Sequence, residues 1–319
     1  MRLLNLLLLP AALALPIGAQ TARILFDGSM TGHLLGCYCT SAPKSGLIKR
    51  ATFIHEYRKE HPGEVLVVSS GDLLEFGVDE KFAKGMLEAV ASVGYDAIAL
   101  GDQEFLAGDS FTEKMAKRLP LLSANLSVDG WLSDTRFAPS VVKTAGGLRV
   151  AFIAVTGTNV FRFFPDKKLR EKLVLTDTVA AIKGELKALA GKADAFVAIT
   201  HEGLDADAVL ARALEGSGVS LILGGHSQDL TTKPFTAGGI TILHGGPSAN
   251  WQVEVPLSLD KGKVKVGAAK FHFFKYASPD RPVPLKAILG DEPWSYKYVI
   301  HENTADDPAV ARIVKELGQ

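Results

Sequence analysis

"YDAIALGDQEF", residues 95–105, is apolar from Ala97 to Leu100, turns at Gly101, and then presents Asp102, Gln103 and Glu104 in succession. A short run with no wet face is what a strand buried on both sides looks like, as in a sheet covered by helices. The same texture recurs in "RILF" (23–26), "EVLVVSS" (64–70), "LLSAN" (121–125), "LRVAFIAV" (148–155), "DAFVAIT" (194–200), "VSLILGG" (219–225) and "ITILHGG" (240–246). Helical patterns fall between them at 47–60, 80–93, 177–191 and 205–216, the last with Asp205 or Asp207 placed to cap its start. The alternation predicts a layered α/β domain.

The ends of the chain read differently. Arg2 followed by the apolar run Leu3 to Leu15 and by Ile17-Gly18-Ala19 has the form of a signal peptide, residues 1–19, cleaved near Ala19. The protein is therefore expected to be exported, periplasmic or extracellular. The apolar run is shorter than the ~20 residues of a membrane span, and no later stretch reaches that length. Residues 20–277 are expected to form one domain. Within it, "WQVEVPLSLDKGKVKVGAAKFHFF" (251–274) alternates like antiparallel strands around Asp260-Lys261-Gly262. Residues 278–319 read as an extension, Pro-rich at first and ending in the short helix "DPAVARIVKELG".

Hydrophobic residues make up 47% of the chain, enough for a core without disulfide staples. Basic and acidic residues balance at 35 each and are scattered, so the footprint of a nucleic-acid or anionic-membrane binder is missing. Function must reside in a local site.

Ligands of open α/β sheets bind beyond the carboxyl ends of the strands. Five strands here end in groups suited to a divalent metal: Gly71-Asp72, Gly101-Asp102-Gln103-Glu104, His201-Glu202-Gly203, His226-Ser227-Gln228 and His244. A Gly-Asp pair after a strand is more often a turn or cap than a ligand, and a lone strand-end His is more often a polar edge residue. Their recurrence at one kind of position in one chain shifts the balance, because two carboxylates and two imidazoles make a sensible metal shell.

The series "VVSSGDLLEFG", "YDAIALGDQEF", "LLSANL", "ITHEGLDAD", "LILGGHSQ" and "HGGPSANWQVEVPLSL" resembles the metallophosphoesterase (calcineurin-like) domain of the 5′-nucleotidase family, in order and spacing. The resemblance implies a single-domain four-layer α/β/β/α sandwich whose members use two divalent metals on phosphate esters. It also implies that Asp72, His201 and His226 are metal ligands. The family's Gly-Asn-His-Glu stands here as Gly101-Asp102-Gln103-Glu104, so Asp102 can ligate while Gln103, at the catalytic His position, has no proton to transfer. Two ligands of the family's first strand align with Ser29 and Thr31, and the last His of Gly-Gly-His-Ser-His with Gln228.

Those departures lie on one metal's side. The expectation is one divalent ion (Mn, Fe or Zn) held by Asp72, Asp102, His201 and His226, a second ion requiring Cys37 and Cys39 or other groups, such as Asp27 and His33, to substitute. Two carboxylates against one ion leave the site near zero net charge, a poor attractor for a phosphate dianion. Without Gln103 as an acid, about 10²- to 10⁴-fold of general acid–base help is absent. Cys37 and Cys39, in a loop leading to the first helix, resemble the Cys-x-Cys of an exported branch of 5′-nucleotidase-like proteins, and two thiols so close suit a soft ion or a redox role as well as plain loop positions. Two functions stand side by side: an attenuated metal-dependent hydrolase of small phosphate esters, and a non-catalytic exported metal-binding or thiol-redox protein on the same fold.

Overall fold

The computed structural model describes residues 20–36, 46–130, 137–233, 235–274, 297–301 and 303–319. Residues 1–19, expected to be a signal peptide, and Cys37 and Cys39 lie outside these residues. The elements in chain order are β1 (Gln20–Asp27), α1 (Leu47–Glu60), β2 (Val65–Ser69), α2 (Glu80–Val93), β3 (Ala97–Ala99), α3 (Asp109–Arg118), β4 (Leu121–Leu122), β5 (Leu126–Val128), β6 (Ser140–Ala145), β7 (Leu148–Thr156), α4 (Lys167–Lys172), β8 (Leu173–Leu175), α5 (Thr178–Ala188), β9 (Ala195–His201), α6 (Leu204–Ala213), β10 (Val219–Gly224), β11 (Phe235–Ala237), β12 (Ile240–His244), β13 (Trp251–Asp260), β14 (Lys263–Val266), β15 (Lys270–Phe274), β16 (Lys297–His301) and α7 (Pro308–Leu317).

Two sheets carry the fold. The first runs β16-β15-β13-β1-β2-β3-β4 with β14 paired to β13, and the second runs β11-β12-β10-β9-β7-β6. A small β5-β8 ladder stands apart from both. The period-2 alternation of strands sorts side chains into three packed interfaces. Ile24, Phe26, Val68 and Ala99 of the first sheet pack against Phe152, Ala154, Ile199 and Leu223 of the second. Leu25, Val67 and Ile98 point the other way, into the helix layer that includes Ile54, Met86 and Ile313. Ile153, Ala198 and Ile222 face Ile182 and Leu210 of α5 and α6. The result is helix, sheet, sheet, helix: the expected four-layer sandwich.

The stretch expected to be a C-terminal extension contributes β16, parallel to β15, and α7, which packs on α2 and α1. Asp307 caps α7 through the Ala309 and Val310 amides, and Gly318 closes it in the left-handed conformation. The Lys261-Gly262 hairpin appears where the sequence places it, both residues at positive φ.

At the β13–β15–β16 edge, Glu254 accepts from His272 Nε2 at 3.2 Å, and the His272 and His301 rings meet Nδ1 to Nε2 at 3.0 Å. Burial, and then the neighbouring His272, push His301 down to about 4 from an ordinary 6.5. A histidine depressed in the folded state is protonated first in the unfolded chain, so its contribution is whole above pH 6.5 and declines toward about 4. Glu254, whose own burial is outweighed by His272 and Lys270 and which is held down at about 2, stays ionised through that window. Urea unfolding at pH 7 and pH 4.5 is expected to show a loss of stability on acidification that His301→Gln reduces.

Candidate metal centre

The carboxyl ends of β2 and β3 in one sheet meet those of β9 and β10 in the other, and four predicted residues converge there. One ligand atom from each of Asp72, Asp102, His201 and His226 lies within 4.8 Å of all the others. No other such group of His, Cys, Asp or Glu occurs among the described residues. His201 Nε2 sits 3.1 Å from Asp72 Oδ1 and 3.4 Å from Asp102 Oδ1, and His226 Nδ1 sits 3.4 Å from Asp102 Oδ1.

The backbone is bent to achieve this. Among the described residues, seven other than glycine have positive φ, and Thr31, Asp72, His226 and Gln228 are four of them. Such conformations are costly and persist where the surroundings enforce them, often at functional sites. Gly101 is required for a different reason: a Cβ there would lie 2.7 Å from Asp72 Oδ1 and 2.9 Å from His201 Nε2. Gly101→Ala is expected to spread the cluster and lower metal affinity at least about 10-fold, as read by competition with a chromogenic chelator.

The donors suit a cation. His201 is fully buried, and its Nδ1 bonds the Ser70 carbonyl at 2.6 Å, so Nδ1 carries a hydrogen and Nε2 is the atom turned toward the carboxylates. Burial opposes a charged ring, but Asp72 and Asp102 overcome it and hold His201 well above its ordinary range. For Asp102, burial is outweighed by His201 and His226, which hold it well below the carboxylate range. Asp102 Oδ1 and His201 Nε2 are buried without a hydrogen-bond partner. A proton and a divalent cation compete for that one nitrogen.

Glu104 is the residue that sequence reasoning undervalued. It is fully buried, and its carboxylate accepts from Leu73 N at 2.6 Å and from Gly101 N at 2.7 Å. One side chain thus ties the loop carrying Asp72 to the loop carrying Asp102. Burial, and then the Asp72 charge, push it up to about 7 against those two amide donors. The only sequence signal was a Glu two residues after a strand-end Asp.

The remaining expectations sort themselves. Ser29 Oγ accepts from His226 N at 3.3 Å and lies against the cluster, while Gln228 is exposed. Thr31 is engaged with His33, whose Nδ1 meets the Thr31 carbonyl at 2.6 Å. Asp27, the other candidate substitute, is taken by the buried Arg50, at 3.2 Å, and by the Tyr95 hydroxyl, at 2.8 Å. His244 does not join the cluster: its Nε2 meets Asp207 Oδ2 at 2.6 Å in a fully buried pair. Nor does Asp205 or Asp207 cap α6. Gly203 occupies the cap, the Leu204 amide donates to Ser227 Oγ at 3.1 Å, and Asp207 turns inward to His244. A buried imidazole claims a carboxylate more strongly than a solvated helix end does.

A cavity of about 480 Å³ opens on the cluster, lined by Asp72, Asp102 and His226 together with Gln103, Arg162 and several aromatic rings. Among the described residues no helix is long and apolar enough to cross a membrane.

No family model matches the chain. Its sequence is 29% identical over 260 residues to a 5′-nucleotidase of Mus musculus, covering 78% of this chain and 39% of that protein. It is 32% identical over 208 residues to Protein UshA of Escherichia coli (strain K12), covering 58% of this chain and 36% of that one. The chain spans under two fifths of the length of either relative. Among solved structures it superposes on the NAD nucleotidase of Haemophilus influenzae with a TM-score of 0.74 at 16% identity, over 94% of this chain and 60% of that one. The calcineurin-like phosphoesterase YfkN of Bacillus subtilis gives 0.69 at 20% identity, over 95% and 98%. These relatives are thus a 5′-nucleotidase and Protein UshA, and the fold is that of calcineurin-like metallophosphoesterases.

Proposed function

We propose that this chain, with the metallophosphoesterase fold and 5′-nucleotidase relatives, is a metal-dependent hydrolase of small phosphate esters working with one divalent ion. The observation that carries the reading is the convergence of four donors, two from each sheet, with Asp102 Oδ1 and His201 Nε2 buried and without a hydrogen-bond partner. Asp72, Asp102, His201 and His226 would hold the ion, and Mn²⁺, Fe²⁺ and Zn²⁺ all suit two carboxylates and two imidazoles. A bound divalent ion supplies Lewis acidity toward a phosphoryl oxygen and toward water. The protein's part is orientation: the Ser70 carbonyl fixes the His201 tautomer, and Glu104 fixes both carboxylate loops. Gln103 lines the cavity with a buried amide oxygen that lacks a partner, so it can accept a hydrogen bond from water or substrate but moves no proton.

The single-ion count rests on Ser29, Thr31 and Gln228 standing where the resemblance has ligands, and on the engagement of Asp27 by Arg50. We place the protein outside the cytoplasm on its leader-like first nineteen residues. Gln103 supports a second reading, an exported binding protein that keeps the ion without turnover and in which Cys37 and Cys39 take a thiol role. Metal analysis of the mature protein, with monoester and diester assays in Mn²⁺ or Zn²⁺, separates the two. One ion per chain with turnover is expected. One ion without turnover selects the binding protein, and two ions per chain overturn the single-ion assignment.

A further inference from the structure

Two exposed phenyl rings stand at the mouth of the metal cavity. Only four large apolar side chains are substantially exposed among the described residues, and two of them, Phe76 at 63% and Phe163 at 84%, line this one cavity. Phe163 is not on a loose loop. It ends the 3-10 turn Val160–Phe163, whose other aromatic groups are anchored: Phe161 is buried against Phe105, centroids 5.6 Å apart, and against Phe164, at 5.7 Å. Arg162 places its guanidinium 5.3 Å from the centre of the Phe163 ring and makes no ion pair among the described residues. A rigid turn thus presents a ring and a cation to a cavity of about 480 Å³, which has room for much more than a phosphate.

Among the described residues the cavity also lacks a proton donor outside the metal cluster. Beside the metal-cluster side chains its polar lining consists of Gln103, Asn159 and Arg162. Neither amide titrates, and a guanidinium keeps its protons. A site of this kind cannot protonate a departing alkoxide. It can release an oxygen that needs no proton, such as a phenolate, whose conjugate acid has a pKa of about 10. Arg162 answers a second need, since two carboxylates against one divalent ion leave little positive charge for an anionic ester.

From the rings, the free cation and the missing acid together, we infer that the substrate is an aryl phosphate ester, its ring against Phe163 and Phe76 and its phosphate between the metal cluster and Arg162. This rests on the hydrolase reading above. In the reaction the oxygen of water bonds to phosphorus and its proton passes to solvent. The bond from phosphorus to the aryl oxygen breaks, and the phenolate leaves with the bonding pair and is protonated from bulk water. The products are inorganic phosphate and a phenol.

The test compares four phosphate monoesters on the metal-loaded protein: 2-naphthyl, phenyl, benzyl and methyl phosphate. Benzyl phosphate carries a ring on an alkyl oxygen and so separates stacking from leaving-group demand. Turnover is expected for the naphthyl and phenyl esters, with the lower KM for naphthyl. Phe163→Ala is expected to raise the naphthyl KM roughly 3- to 10-fold with metal content unchanged. Gln103→His, which introduces an acid–base group, is expected to raise benzyl phosphate turnover on the order of 10²-fold, far more than it raises phenyl phosphate turnover. Equal use of benzyl and phenyl phosphate, or a Phe163→Ala variant with an unchanged naphthyl KM, overturns the aryl-ester assignment and leaves the hydrolase standing. Absence of turnover on all four esters by a protein that holds its ion overturns the hydrolase itself.

Discussion

Asp72→Ala is expected to leave a folded protein that has lost both its ion and its turnover. Asp72 supplies one of only two carboxylates in the cluster, and its Oδ1 lies 3.1 Å from His201 Nε2. Losing a group behind a metal ligand costs roughly 10- to 100-fold in affinity or activity. Losing a charged ligand outright should cost considerably more, to the limit of detection in a phosphatase assay. The stability of the metal-free protein is expected to hold or rise. Asp72 is buried beside Asp102 and Glu104, and its charge helps to raise Glu104. Removing it relieves a like-charge contact, the trade of stability against function common at active sites. Metal content, kcat/KM and urea unfolding of the metal-free variant check the three parts. A loss of activity accompanied by a collapse in stability would assign Asp72 a structural role instead.

Arg50→Met is expected to do the reverse, striking stability through a group that supplies no donor atom to the cluster. Arg50 is completely buried in α1, its Nη2 3.2 Å from Asp27 Oδ2 and 2.8 Å from the Tyr95 hydroxyl, which itself donates to Asp27 at 2.8 Å. The three residues join α1, β1 and the start of the β3 region into one polar knot inside the helix layer. Burial already pushes the Asp27 carboxyl up, with Arg50 and hydrogen bonds pulling it down. Without the guanidinium a buried carboxylate is left uncompensated, a loss of about 3–5 kcal/mol. Urea denaturation should show a lower midpoint at unchanged slope. Arg50→Met combined with Asp27→Asn is expected to recover part of the loss, because no charge is then stranded. A double variant no better than the single one would mean that packing around the Arg50 stem, rather than its charge, is what matters.

The sequence was most legible where one physical demand acts alone. Strands buried on both faces must be apolar, so β2, β7, β9, β10 and β12 could be read directly. The polar letters at their ends could be read as a converging cluster, because the loops beyond a sheet's carboxyl edge have no packing reason to carry Asp and His side by side. Legibility failed where two demands compete for one residue. His244 ends a strand as His201 does, yet a buried Asp207 claims it, and the distance of 37 positions between them gives no local sign of the pairing. Asp207 read as a cap for the same reason. β16 went unread because it is a five-residue strand whose parallel partner lies far back in the chain, with no hairpin turn to announce it. Glu104 was visible as a carboxylate, but its work is done on two backbone amides, which leave no trace in the sequence.

On the single-ion proposal, that work bears on how an ion is gained. The amides that Glu104 grips belong to the two turns from which Asp72 and Asp102 project, so neither turn can drift without pulling the other. The chelating geometry is thereby assembled when the chain folds, before any cation arrives. Capture then demands little further ordering of the protein, and its rate should be governed by how quickly a hydrated ion sheds water rather than by loops searching for one another.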